Sequence, residues 1–189
     1  MERVMNYIID NEASIIMTEY DKHGNELSIV FDKDKPMMIE TRPFELLNDS
    51  IKAYGYDIFG AFRGSRSILG NIKMPPINVN PRKVMIWFPC SSPKDRECVW
   101  LAHAHIVKRE RLGRKKTRIY FKYGHTLTLD ISTYSFDQKM KKAAELHVYL
   151  IKEEVGEYMG NYYGFDIVKE TGNRNYRIDN RSSDLFEDF

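Results

Sequence analysis

The stretch that decides the fold class is residues 99–131, which read VWLAHAHIVKRERLGRKKTRIYFKYGHTLTLDI. Successive side chains of a strand point to opposite faces, so in residues 99–107 Trp100, Ala102, Ala104 and Ile106 fall on one face, which is the expected core side. Two β-branched and aromatic runs follow at 117–123 and 126–131, and a turn at Gly124 separates them. The stretch therefore predicts three antiparallel strands, with a basic connection between the first two.

Short apolar runs predict four more strands before this stretch, at residues 13–18, 27–31, 37–41 and 84–88. Between the third and fourth of these, Pro43 begins a helix that Gly55 ends. Residues 59–67 are rich in Gly and Ser, so they are predicted to form a loop or a short irregular helix.

A long closing helix follows residues 126–131. Ser135 and Gln138 fit a capping box at its start, and the helix is expected to end near Gly156. The expected fold class is therefore α+β, with a mainly antiparallel sheet of about seven strands that is either open or barrel-like. A short helix follows the third strand, and a long helix closes the fold. We expect one β-rich domain over residues 1–156 and a loosely ordered tail over 157–189.

The N-terminus lacks the basic start and apolar core of a signal peptide, and no apolar run reaches the roughly 20 residues of a membrane span. The chain has two cysteines, Cys90 and Cys98. Sparse cysteine and no export signal favour a reducing cytoplasm and no membrane association.

The net charge of +2 conceals a strongly asymmetric distribution. Residues 61–130 hold 15 Lys and Arg against 4 Asp and Glu, a net charge of +11. The segments before and after them carry −6 and −3. A polyanion is recognised by local Lys and Arg rather than by the total charge, so the middle segment predicts a nucleic-acid site.

Two groups of cations stand out in the middle segment. Residues 108–118 contain seven cations and one acid, a composition that suits a phosphate backbone better than it suits mere solubility. Arg63 and Arg66 lie among glycines and serines, where arginines could enter an A·T-rich minor groove. The candidate DNA-contact residues are Arg63, Arg66, Lys73, Arg82, Lys83, Lys108, Arg109, Arg111, Arg114, Lys115, Lys116 and Arg118.

Metal and catalytic sites have little support. Cys90, Cys98, His103 and His105 do not have the spacing of a structural zinc site, although the two histidines would share a strand face. Carboxylates concentrate at the two ends of the chain, and no nucleophile lies in a recognisable motif. We therefore expect no metal, no cofactor and no enzymatic activity.

Several motifs together resemble the ComK family of competence transcription factors. They are Pro75-Pro76-Ile77-x-Val79-x-Pro81, Phe88-Pro89-x-Ser91-Ser92, Cys98-x-Trp100-Leu101-x-His103-x-His105 and Leu129-x-Ile131-Ser132-x-x-Ser135-Phe136. Tyr54-Gly55 and Gly60-x-x-x-Gly64 also fit, and the resemblance covers about residues 54 to 150 in the family's order.

The resemblance implies an activator of DNA-uptake genes that binds paired A·T-rich boxes, largely through the minor groove. It also implies homo-oligomers built from dimers, and removal by a Clp protease through an adaptor. A different class stays open, because strands followed by a closing helix also describe a PH-like β-barrel module. Its basic loop would bind anionic lipid or a protein partner.

Overall fold

The structure is a computed structural model that describes residues 2–33, 35–158, 165–168 and 177–180. The strands are β1 Glu2–Val4, β2 Ala13–Tyr20, β3 Glu26–Asp32, β4 Lys35–Ile39, β5 Ile77–Asn78, β6 Ile86–Pro89, β7 Trp100–Ala102, β8 Ile106–Gly113, β9 Lys116–Phe121, β10 Thr126–Leu129, β11 Phe165–Val168 and β12 Arg177–Asn180. The helices are α1 Pro43–Lys52, α2 Ile58–Leu69 and α3 Thr133–Tyr158.

The chain forms two compact units, residues 1–151 and 152–189. In the second unit β11 and β12 form an antiparallel pair. Most of the predicted loosely ordered tail, 157–189, lies outside the described residues.

The first unit contains two sheets. A seven-stranded sheet has the order β1-β4-β3-β2-β7-β6-β5, and a three-stranded sheet has the order β10-β9-β8. Every pair is antiparallel except β1 with β4. The predicted α+β class is confirmed, and among the described residues the sheets are open rather than closed into a barrel.

The two faces of the large sheet carry separate cores, because alternate side chains of one strand point to opposite faces. On one face Ile16, Trp87 and Trp100 pack with residues of α1 and α2. On the other face Ile15 and Phe88 pack with residues of β9 and α3. We call these the helical core and the ribbon core.

The predicted strand over 99–107 is wrong as a single element. A 3-10 turn at His103–His105 divides it, so that β7 belongs to the large sheet and β8 to the small one. His103 and His105 therefore do not share a strand face. The turn lets the chain leave one layer and enter the next.

Residues 59–67 were predicted to form a loop or a short irregular helix; the loop is wrong, since those residues lie within the 12-residue helix α2. Asp57 caps the helix, because its carboxylate accepts a hydrogen bond of 2.9 Å from the backbone N–H of Gly60. Ile58, Phe62 and Ser65 are buried on one side of α2. Packing of that side outweighs the poor helix propensity of the glycines.

Candidate nucleic-acid interface

Most of the predicted basic connection is strand. Residues 108–113 belong to β8, which pairs with β9 and turns at Arg114 and Lys115. We call residues 106–121 the basic ribbon. Most of its cations are therefore held in a fixed strand register, and two of them, Arg114 and Lys115, lie in the tight turn.

The register divides the cations between two faces of the ribbon. Arg109 lies opposite buried Ile119, and Arg111 lies opposite buried Thr117, so both arginines share the inner face with the ribbon core. Lys108 lies opposite Tyr120, and this pair faces outward. Sequence alternation alone could not assign these faces, because the ladder shifts by one residue near each end of β8.

On the inner face, Arg109 is held by the first turn of α3. Its Nε and Nη2 donate hydrogen bonds of 2.5 and 3.1 Å to the two carboxylate oxygens of Asp137. This bidentate contact and the charge of Asp137 raise the pKa of Arg109. Arg109 therefore joins the ribbon to α3.

On the outer face, Glu110 takes up part of the positive charge. It accepts a hydrogen bond of 2.5 Å from the Tyr120 hydroxyl and lies 4.0 Å from the Arg118 guanidinium. The Lys108 ammonium lies 5.4 Å from the centre of the Tyr120 ring. At the tip, Lys116 lies 3.6 Å from Asp130.

Four ribbon cations have no carboxylate partner within the part of the chain that the structure describes. They are Lys108, Arg111, Arg114 and Lys115, and all four are exposed. The only described polar contact of Arg111 is a 3.3 Å hydrogen bond from its Nε to the Gly113 carbonyl. These side chains are available to bind phosphate.

The N-terminus of α3 lies beside the ribbon tip. The buried Thr117 hydroxyl donates to the Ile131 carbonyl at 2.8 Å and lies 3.1 Å from the Thr133 hydroxyl. Ser132, not Ser135, caps the helix, because the Ser132 hydroxyl accepts a 3.1 Å hydrogen bond from the Ser135 N–H. The predicted capping position was wrong by three residues. The positive end of the helix dipole therefore adds to the ribbon's cations.

Tyr134, in the first turn of α3, is a functional candidate that sequence reasoning missed. Its side chain is 75% exposed, and its neighbour Thr133 contacts the ribbon. The sequence did carry a signal for Tyr134: it lies next to a capped helix start and outside the apolar face of α3. An exposed tyrosine can stack on a base or donate a hydrogen bond to phosphate.

A second basic region surrounds α2. Arg63, Arg66 and Lys73 line a cleft of about 790 Å³ between the two short helices and the loop over 92–98. Arg66 is held in place, because its Nε donates to the Ile72 carbonyl at 3.1 Å and its guanidinium lies 5.9 Å from the Phe62 ring centre. Arg63 is exposed and has no carboxylate partner among the described residues.

Three further cations of this cleft were missed by sequence reasoning: Arg42, Lys94 and Arg96. Arg42 is paired with Glu45, and Arg96 lies 3.0 Å from Glu26. No short-range signal marks these residues, because only tertiary packing brings the loop over 92–98 to the helices.

The twelve predicted DNA contacts therefore lie in three places. The α2 group lies over the helical core and the ribbon group over the ribbon core, on opposite faces of the large sheet. Arg82 and Lys83 lie in a turn after Pro81, and Lys83 lines a smaller cleft of about 320 Å³ with His105 and Tyr123.

The four side chains of the weak zinc pattern, Cys90, Cys98, His103 and His105, are buried or half-buried. Cys98 belongs to the helical core and Cys90 borders the ribbon core. Burial raises the pKa of the Cys90 thiol to about 12 and also raises that of Cys98. Within the described residues, no group of three His, Cys, Asp or Glu side chains could hold a metal ion.

Burial lowers the pKa of His103 and of His105. The Nε2 of His105 makes a 2.7 Å hydrogen bond with the Asn11 carbonyl oxygen, while the Nδ1 atoms of both residues are buried without a partner among the described residues. The neutral form of both rings therefore fits the structure.

None of the described helices combines the length and apolar character needed to cross a membrane.

Comparison with known proteins links the ribbon and both cores to one family. The family model described as ComK protein matches residues 4–154 of this chain. The competence transcription factor of Bacillus subtilis (strain 168) is 26% identical over 136 residues, which cover 72% of this chain and 71% of that protein. No solved structure matches the chain. The family match spans both sheets and most of α3, and this chain belongs to the ComK protein family.

Proposed function

We propose that this protein is a DNA-binding transcription activator of competence genes. In this proposal it binds A·T-rich boxes, largely through the minor groove, and it works in the cytoplasm without a metal, a cofactor or any catalytic activity. Membership of the ComK family and the similarity to a relative named competence transcription factor support this general role.

The observation that carries the DNA-binding part is the set of exposed ribbon cations without carboxylate partners: Lys108, Arg111, Arg114 and Lys115. Folding leaves these charges unneutralised along a two-stranded element, from the first half of β8 to the turn. Such a ribbon can lie along a groove, and each cation that meets a phosphate releases a counterion from the DNA.

The α2 region would supply sequence preference. Exposed Arg63 could reach a narrow minor groove, where A·T-rich DNA has its most negative potential. Arg66 would act mainly by fixing the end of α2, because its guanidinium already contacts the Ile72 carbonyl and lies near the Phe62 ring. Lys73, Arg82, Lys83, Lys116 and Arg118 would add phosphate contacts at the edges of the surface.

Homo-oligomers are part of the proposal. Val148, Tyr149 and Ile151 are each at least 40% exposed on α3, and apolar side chains on a helix are suitable for contact between copies. A Clp protease adaptor as a further partner rests on the family resemblance alone.

The alternative is a PH-like β-barrel module whose basic loop binds anionic lipid or a protein partner. Strands followed by a closing helix also fit that class, although the described strands of the first unit form two open sheets rather than a barrel. The ribbon cations themselves would suit either polyanion, so a direct competition is needed.

The test is fluorescence anisotropy with a labelled A·T-rich duplex, an equal-length G·C-rich duplex, and vesicles of anionic lipid as competitor. We expect tighter binding to the A·T-rich duplex and weak competition by vesicles at equal phosphate concentration. Equal binding to both duplexes would refute the sequence preference. Efficient displacement by vesicles would favour the lipid alternative.

A further inference from the structure

We propose that Leu112 is an apolar wedge that enters the DNA between base pairs and kinks the duplex. This inference rests on the proposed DNA-binding function and adds a distortion of the DNA that binding alone does not require.

The first observation is a β-bulge at Leu112. Arg111 pairs with Thr117, and Gly113 pairs with the adjacent residue Lys116, so Leu112 is the extra residue of β8 and has no partner across the ribbon. A bulge at the end of a ribbon bends the strand and redirects a side chain.

The second observation is that Leu112 packs into neither core. Its side chain is 39% exposed and is absent from the helical core, the ribbon core and the residues that border them. Truncating it would therefore remove little packing energy from the fold.

The third observation is the charge around Leu112. Arg111, Arg114 and Lys115 surround it in sequence, and none of them has a carboxylate partner within the described residues. A second copy would present the same cations and be repelled, and an apolar partner would leave these cations unneutralised. A duplex satisfies both requirements, because its phosphates face the cations and its base steps receive the leucine.

Such an arrangement has a known physical consequence. Leucine and similar side chains that enter a minor groove unstack a base step and kink the duplex by roughly 20–90°. Flexible steps such as TA occur in A·T-rich boxes and are the easiest to open. The wedge therefore adds to the preference for A·T-rich DNA through deformability, without a hydrogen bond to any base.

The experiment compares Leu112→Ala with Val107→Ala. Val107 provides a matched control, because it is an apolar side chain of β8, 66% exposed, at the other shift in the register. Energy transfer between dyes at the two ends of an A·T-rich duplex measures the bend, and anisotropy on the same duplex measures affinity. Leu112→Met keeps an apolar side chain of similar volume and should preserve the bend.

We expect the wild type, Val107→Ala and Leu112→Met to bend the duplex, and Leu112→Ala to bind it more weakly with most of the bend lost. A gap of one nucleotide at the centre of the box should restore the affinity of Leu112→Ala to within about twofold of the wild type, because an opened step no longer needs a wedge. Binding by the wild type without a bend, or an unchanged bend in Leu112→Ala, would refute the wedge and leave the proposed function intact. An equal loss in Val107→Ala would also refute it. Failure of the wild type to bind any duplex at low salt would refute both.

Discussion

Arg109 was predicted to contact DNA, and in the structure its guanidinium already binds a carboxylate. Both carboxylate oxygens of Asp137 accept hydrogen bonds from its guanidinium, and the contact joins β8 to the start of α3. Arg114 lies five residues further on and has no carboxylate partner among the described residues. Two arginines of one basic run thus differ in what their charge already binds.

This difference predicts opposite effects of two substitutions. Arg109→Ala should lower the free energy of unfolding by about 0.5–1 kcal/mol, which is the upper range for an exposed ion pair. The same substitution should change DNA affinity little at high salt. Arg114→Ala should leave stability unchanged and weaken DNA binding at low salt. Urea unfolding and anisotropy on each variant provide the test. The assignment fails if Arg109→Ala loses more affinity than Arg114→Ala.

His103 and His105 predict a dependence of stability on pH. Burial lowers both pKa values, so the folded protein binds these protons more weakly than the unfolded chain does. Acid then favours the unfolded chain, and the free energy of unfolding should fall as the pH decreases below about 6.5. His103→Gln should reduce that fall, because it removes one of the two buried imidazoles whose pKa is lowered. Identical pH profiles for the wild type and His103→Gln would contradict the prediction.

Helix α2 shows why a regular helix was not predicted from the sequence. Gly60, Gly64 and the nearby serines suggested a loop or a short irregular helix, since glycine disfavours helix. The signal that was present is local: Asp57 lies at a capping position, and Ile58, Phe62 and Ser65 recur at helical spacing. The contact that outweighs propensity is tertiary, because Phe62 stacks on Trp100 with ring centres 6.4 Å apart.

The basic ribbon and α2 should make separable contributions to DNA binding. Replacing Arg114 and Lys115 with Ala removes two phosphate contacts, so binding should weaken for all sequences and the salt slope should flatten by roughly 2. Arg63→Ala should instead reduce the ratio of A·T-rich to G·C-rich affinity. Anisotropy on both duplexes at several salt concentrations measures both quantities. Loss of discrimination in the ribbon variant, with discrimination kept in Arg63→Ala, would reverse the two assignments.

The two cores share strands β2, β6 and β7, and this sharing should make the first unit unfold as one cooperative body. Both tryptophans, Trp87 and Trp100, lie in the helical core. Phe136 lies in the ribbon core, is fully buried and contacts Phe88 with ring centres 6.0 Å apart.

Phe136→Ala should therefore lower the urea midpoint reported by tryptophan fluorescence as much as the midpoint reported by circular dichroism. The loss should be about 3–5 kcal/mol, because the substitution leaves a cavity in a packed core. If fluorescence keeps the wild-type midpoint while circular dichroism shifts, the two cores unfold independently and the prediction is wrong.

The strands and the α+β class could be predicted because a short apolar or β-branched run is a local property. β2, β3 and β6 contain such continuously buried runs, and β9 alternates between buried and more exposed side chains. The basic segment could be located for the same reason. What could not be predicted is which cations are neutralised. Asp137 is 28 residues from Arg109 in sequence, and the face of Arg111 depends on a register shift at Leu112.

The central claim is that the exposed cations of the folded chain bind DNA phosphates. The most direct test is the salt dependence of wild-type binding to an A·T-rich duplex between about 50 and 200 mM salt. Neutralising about five phosphates predicts that log K falls against log salt with a slope of about −4 to −5. A slope near zero, or no binding at the lowest salt, would contradict the claim.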